Sequence, residues 1–243
     1  MEAKQLTPPT YPGSPTLSPM PPTTRRLAMA RWTGVGYLII FLSGFYGNFY
    51  VLQSLVVAGD APATLANLLQ NPGTYRAGVA AFLIMVLADL VLAWPLFQLL
   101  QDAHPKMAFT SSLLRVLNAG FFFAALTYLF SISKALSTHS PEASHIMAAL
   151  DQFNRVWTWG LLVFGVHLLL LGSLLYRSAS FPRLLGILIG IAGLGYLVDC
   201  SAQLWMPQYA AYQSVFEIAV VIPGVIGEFS LTLWLLIKGI SKD

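Results

Sequence analysis

The sequence predicts an all-α integral membrane bundle of six transmembrane helices, with cytoplasmic termini and two short interfacial helices in outer loops. Three observations carry this. Hydrophobic residues make up 56% of the 243-residue chain and charged residues only 9%, against roughly 25% charged in soluble domains. Too little polar material remains to cover a soluble core of this size, which excludes a soluble globular enzyme and a nucleic-acid binder. Six apolar stretches each supply the about 20 residues that a helix needs to cross a hydrocarbon layer. Finally, the basic residues are divided unevenly between the two sets of loops.

Residues 1–24 hold seven of the 15 prolines, among Ser, Thr and Tyr, without an apolar run. Such a segment cannot bury enough surface to offset its ordering entropy, so it reads as a disordered tail. Residues 25–243 form the membrane domain. The apolar stretch after Arg25, Arg26 and Arg31 is too long for the core of a cleavable signal peptide.

The spans fall at about 32–57, 77–100, 109–133, 156–176, 184–205 and 214–237. Helix breakers separate them: Asn71-Pro72-Gly73, His104-Pro105-Lys106, Ser140-Pro141, Phe181-Pro182-Arg183 and Met206-Pro207. With six spans both termini share one face. That face holds Lys4, Arg25, Arg26, Arg31, Lys106, Arg177, Arg183, Lys238 and Lys242; the opposite face holds only Arg76, Lys134 and Arg155. The excess of basic residues places both termini in the cytoplasm.

Two outer loops read as short amphipathic helices lying in the interface. Asp60-Ala61-Pro62 caps one that carries Leu65, Leu68 and Leu69. Ser140-Pro141-Glu142 starts the other, with Ile146, Met147, Leu150 and Phe153 at helical spacing. Trp32, Trp157, Trp159, Trp205 and Trp234 lie near span ends, as interfacial anchors do. Small residues spaced for close helix contact occur at Gly44-x-x-Gly47, Gly186-x-x-x-Gly190, and Gly193 with Gly195. They serve packing within one chain or between copies, so oligomeric state stays open.

Six ionisable residues fall inside spans: Asp89, Arg115, His167, Asp199, Glu217 and Glu228. A charge near a span centre costs roughly 3 kcal/mol, so such groups turn inward and seek partners. Counting about 1.5 Å per residue from the cytoplasmic ends puts Asp89, Arg115, His167 and Glu228 in one layer. Asn118 extends the polar stripe of Arg115, together with Ser111 and Ser112. Asp199 and Glu217 form a shallower outer group, with Tyr196 and Gln203 flanking Asp199.

Two readings of the inner layer follow. In one it fixes helix register, pairing Asp89 with Arg115 and Glu228 with a protonated His167. In the other it is a ligand or proton site, because two carboxylates face one obligate cation and leave an excess negative charge.

No zinc-protease motif, nucleophile elbow or aspartate-rich diphosphate site occurs. Only His167 of the four histidines lies mid-span, so paired haem ligands and a histidine-rich di-iron site are not available. The lone Cys200 supports neither a disulfide framework nor a multi-cysteine metal site. The sequence therefore implies no metal, no cofactor and no catalytic residue. An intramembrane enzyme using His167 as a base has the weakest support.

Residues 164–168 (Phe-Gly-Val-His-Leu), 176–178 (Tyr-Arg-Ser), 181–186 (Phe-Pro-Arg-Leu-Leu-Gly) and 192–197 (Ala-Gly-Leu-Gly-Tyr-Leu) carry a family resemblance. Gly227-Glu228 and Leu233-Trp234-Leu235-Leu236 add to it. They resemble a bacterial membrane family known as a domain of unknown function, DUF4386, over about residues 30–240. The resemblance implies a multi-pass inner-membrane protein and supplies no activity.

The leading expectation is a binding or transport-like protein of the bacterial cytoplasmic membrane. It holds a small anionic or lipidic ligand at Asp89, Arg115, His167 and Glu228, with Asn118, Tyr196 and Asp199 as secondary candidates. The alternative is a non-enzymatic accessory or regulatory protein whose polar network is structural. The lipid bilayer is the one certain partner, and nucleic acid is not one.

Overall fold

A computed structural model describes residues 22–137 and 141–239. All but the last three residues of the proposed tail lie outside this range. The first helix, α1 (Pro22–Phe45), starts inside the segment assigned to the tail. It continues through a π-helical segment (Tyr46–Leu52) into a final turn, α2 (Gln53–Leu55). Then follow α3 (Ala61–Gln70), α4 (Pro72–Leu100), α5 (Pro105–Ala135), α6 (Ala143–Arg177), α7 (Arg183–Trp205) and α8 (Tyr209–Ile237). Six of these units are long and apolar enough to cross a membrane, with α1 and α2 counted as one. The protein is a multi-pass all-α membrane bundle.

The breakers act through local chemistry. Asp60 Oδ1 accepts from the Ala63 N–H at 2.9 Å and caps α3, with Pro62 in the first turn. Asn71 then closes α3, and Pro72 opens α4. At the next loop His104 Nδ1 accepts from the Met107 N–H at 3.2 Å, capping α5 ahead of Pro105. Pro95 and Pro223 lie inside α4 and α8, which run on through them.

One expected element is absent. The second interfacial helix is the beginning of α6, a single helix of 35 residues. No Gly or Pro lies between Ile146 and Val156 to interrupt it. Ile146, Leu150 and Phe153 are buried against α4 and α5 core residues, so the stripe that looked interfacial faces protein. At about 1.5 Å per residue α6 is about 52 Å long, well beyond a hydrocarbon layer of about 30 Å. The other short helix, α3, exists, and its Leu68 is buried in the same core.

The helices close into a ring. Sequence neighbours from α4 to α8 pack side by side, and α1 fits between α4 and α8. Arg26 near the start of α1 pairs with Asp102 in the α4–α5 loop at 2.8 Å, so these ends share one face. Apolar side chains such as Val91, Trp94 and Val215 are two-thirds or more exposed around the outside, as lipid contact requires.

Glycine sets the closest approach. A Cβ on Gly172 would lie 2.7 Å from the Gly186 carbonyl oxygen, and one on Gly186 would lie 2.6 Å from that of Gly172. The small residues of the fifth span thus bring the α6 and α7 backbones together inside one chain. Gly44 of α1 and Gly47 of the π-helical segment make room instead for side chains of α4, Met85 and Phe82.

Two apolar clusters fill the ring. One gathers Phe82, Phe122, Leu126, Leu129 and Phe153 toward the α3 end. The other gathers Leu92, Leu96, Leu168, Leu171 and Leu235 toward the end that carries Arg26. Asp89, Arg115 and Asn118 interrupt α4 and α5 between them, forming a polar layer in an otherwise apolar interior.

Candidate functional site

The polar layer centres on Arg115, whose residue is 1% exposed. Helix α5 projects it inward between Ser111 and Asn118, both buried on the same stripe. Burying a guanidinium without partners is prohibitive, and three neighbouring helices supply them. Nη2 meets Asp89 Oδ1 at 2.5 Å, and Nε donates to the Asp89 carbonyl at 3.2 Å. Nη1 donates to the Tyr37 hydroxyl at 3.3 Å and contacts His167 Nε2 at 3.1 Å. Four of the five N–H groups are therefore engaged within the chain. The guanidinium also stands 5.0 Å from the centre of the Tyr37 ring, a cation–π distance.

The second ring of contacts fixes each partner. Asn118 Nδ2 donates to Asp89 Oδ2 at 3.0 Å, so both carboxylate oxygens are occupied. Asn118 Oδ1 has no partner among the described residues. His167 Nδ1 lies 2.8 Å from the Ser111 carbonyl oxygen and 3.0 Å from its hydroxyl. A carbonyl only accepts, so Nδ1 carries the hydrogen, and Nε2 is left to accept from Arg115. His167 is thus a neutral, fully committed imidazole. The pairing of a protonated His167 with Glu228 does not occur, because Arg115 occupies the position facing the ring.

Glu228 stands apart from this network. Its Oε1 accepts a long 3.4 Å hydrogen bond from the Tyr196 hydroxyl, and its backbone carbonyl accepts from Thr232 at 2.7 Å. It lies within electrostatic reach of Arg115 and Asp89, yet no cation touches it among the described residues. One turn earlier, Gly224 leaves space beside the Tyr196 hydroxyl and the Glu228 carboxyl. Phe164 packs edge-on to Tyr196 and parallel to His167, joining the two groups through an aromatic wall.

The shallower candidates divide differently from the sequence reading. Asp199 accepts from the Tyr209 hydroxyl at 2.8 Å. Tyr196, expected to flank Asp199, turns to Glu228 instead, because its depth on α7 matches that of Glu228 on α8. Gln203 bonds to Thr158 across the α6–α7 seam. Glu217 is held by Gln213 from its own helix. Among the described residues no group of three or more His, Cys, Asp or Glu could hold a metal ion.

Tyr37 is the partner that sequence reasoning missed. It is 3% exposed on a span whose other faces are lipid-facing, and no charge or motif marks it. Only its i+4 relation to Phe41 and Thr33 along α1 hints at an inward stripe.

A family model described as "Domain of unknown function (DUF4386)" matches residues 32–239. The chain belongs to this family. The matched region contains all six spans' cores and every residue of the polar layer, and it leaves the Pro-rich segment outside. A relative in Archaeoglobus fulgidus, described as an uncharacterized protein, is 31% identical over 172 residues. That alignment covers 71% of this chain and 89% of the relative. No solved structure matches.

Proposed function

We propose that this DUF4386 protein is a non-enzymatic, transport-like membrane protein in which Glu228 is the exchangeable site and the Asp89–Arg115–His167 network is its fixed frame. The observation that carries this is the division of charge. Two carboxylates lie within reach of one guanidinium, and Asp89 takes the direct contact at 2.5 Å. The hub has one N–H left for anything else, which argues against an anionic ligand seated on Arg115 itself. Glu228 has only a tyrosine hydroxyl at 3.4 Å. A proton, or the cationic head of a small or lipidic ligand, brings the layer to neutrality there. Space at Gly224 and the interrupted hydrogen bonding at Pro223 make α8 the adjustable wall of the site.

Asn118 and Tyr196 serve this site as positioning residues for Asp89 and Glu228, and Asp199 belongs to the outer end of α7. The uneven Lys and Arg distribution supports a cytoplasmic location for both termini, and the family resemblance suggests a bacterial cytoplasmic membrane. Reaction of Glu228 with a hydrophobic carbodiimide, which modifies protonated carboxyls in apolar surroundings, tests the reading.

A second reading has its own support. The closed bonding of Arg115 is what an accessory or regulatory protein would use to hold a bundle in register. In that case the whole layer, Glu228 included, contributes to stability alone.

A further inference from the structure

A second feature lies at the other end of the α6–α7 seam, independent of the Glu228 reading. Between the two helices is a cleft of about 450 Å³ lined by Asn154, Arg155, Thr158, Trp159, Gln203 and Trp205. Its depth follows from helix geometry. From Arg177 to Trp159 is about 27 Å along α6, and Arg155 lies about 6 Å further out. Trp205 ends α7, and it meets Trp159 edge-on with ring centres 5.8 Å apart. A hydrocarbon layer of about 30 Å therefore ends at this tryptophan pair, and Arg155 stands at headgroup depth.

The cleft combines one cation with neutral polar groups and no carboxylate. Arg155 enters neither ion pair found among the described residues, although Asp151 is one turn away on the same helix. The Thr158 hydroxyl shares its one hydrogen between Gln203 Oε1 and the Asn154 carbonyl oxygen, the latter at 2.8 Å. Arg155 is also one of only three basic residues assigned to this face, the face that topogenic charge bias depletes. An unpaired guanidinium beside two amides and above two indoles matches one chemistry: a phosphodiester with apolar chains below it.

We propose that this cleft binds the phosphate of a phospholipid headgroup, with Arg155 as its ion partner, Asn154 and Gln203 as neutral hydrogen-bonding groups, and Trp159 and Trp205 flanking the acyl chains. The same phosphate chemistry could be met by free inorganic phosphate, and the experiment separates the two sources.

Full-length protein in mild detergent is titrated with phosphatidylglycerol and examined by native mass spectrometry, in parallel with Arg155→Ala and Arg76→Ala. Thermal unfolding of each variant confirms folding. The proposal expects one tightly held lipid on wild type and on Arg76→Ala, with affinity weakened about ten- to hundred-fold in Arg155→Ala, the range for one charge-assisted contact. Millimolar inorganic phosphate leaves the lipid in place. Equal lipid retention by folded Arg155→Ala and wild type overturns the site. Displacement of the lipid by inorganic phosphate, with phosphate alone stabilising wild type but not Arg155→Ala, overturns the lipid assignment in favour of a soluble anion.

Discussion

Arg115 and Asp89 meet at 2.5 Å with side chains only 1% and 4% exposed, and Asn118 occupies the carboxylate oxygen that Arg115 leaves free. The pair links α4 to α5, and through Tyr37 and His167 it reaches α1 and α6. Removing one member leaves the other charge buried without compensation. Arg115→Met or Asp89→Leu alone should each destabilise the protein by about 3–5 kcal/mol, while the double replacement recovers most of the loss. Thermal or denaturant unfolding of the four proteins in one detergent measures the coupling. Additive losses would show that the contact does not hold the ring together.

Tyr37 offers a graded version of the same test. Tyr37→Phe removes the hydroxyl that accepts from Arg115 but keeps the ring beside the guanidinium. A loss of about 2 kcal/mol is expected, that of one hydrogen bond to a charged group. Tyr37→Ala should cost about 3 kcal/mol or more, since ring burial and the cation–π contact go together. Equal effects of the two variants would mean that the hydroxyl, not the ring, dominates.

The glycines make a prediction of opposite sign within one motif. A Cβ at Gly186 would strike α6 backbone, whereas one at Gly190 meets nothing within 4 Å. Gly186→Ala should destabilise by about 1–3 kcal/mol through overpacking. Gly190→Ala should be neutral or stabilise by up to about 1 kcal/mol through helix propensity. If Gly190→Ala instead dissociated an oligomer in size-exclusion chromatography, the face would serve contacts between copies.

These residues also show how much the sequence disclosed. Pro72, Pro105 and Pro182 stand immediately at or before helix starts, so the spans could be read from local chemistry. Asp89, Arg115, Asn118 and His167 were recognisable because an ionisable or amide group inside an apolar span has few other reasons to be there. Partner choice was not recognisable. Depth along a helix follows from residue counting, but rotation about its axis does not, so Glu228 looked able to reach His167 and Tyr196 looked able to flank Asp199. The continuity of α6 was hidden for a different reason. A stripe such as Ile146, Leu150 and Phe153 has the same spacing whether it faces lipid interface or protein. The packing role of Gly165 and Gly172 was not legible, because neither is marked until the facing glycines of α7 are beside it.

Orientation can be read from cysteine accessibility. Cys200 is fully buried, so the native chain should be silent to a membrane-impermeant maleimide. With both termini cytoplasmic, Ser144→Cys at the start of α6 is labelled in intact cells. Ala179→Cys in the α6–α7 loop is labelled only after permeabilisation. The reverse pattern would invert the topology and move the Arg155 cleft to the cytoplasmic leaflet.

The most direct measurement is carbodiimide labelling of the membrane-embedded protein, followed by peptide mass spectrometry. The account predicts an adduct on Glu228 that disappears in Glu228→Gln, while Asp89, locked between Arg115 and Asn118, stays unmodified. A folded protein with no adduct at Glu228, or one modified at Asp89 instead, would contradict it and leave the polar layer as a structural frame.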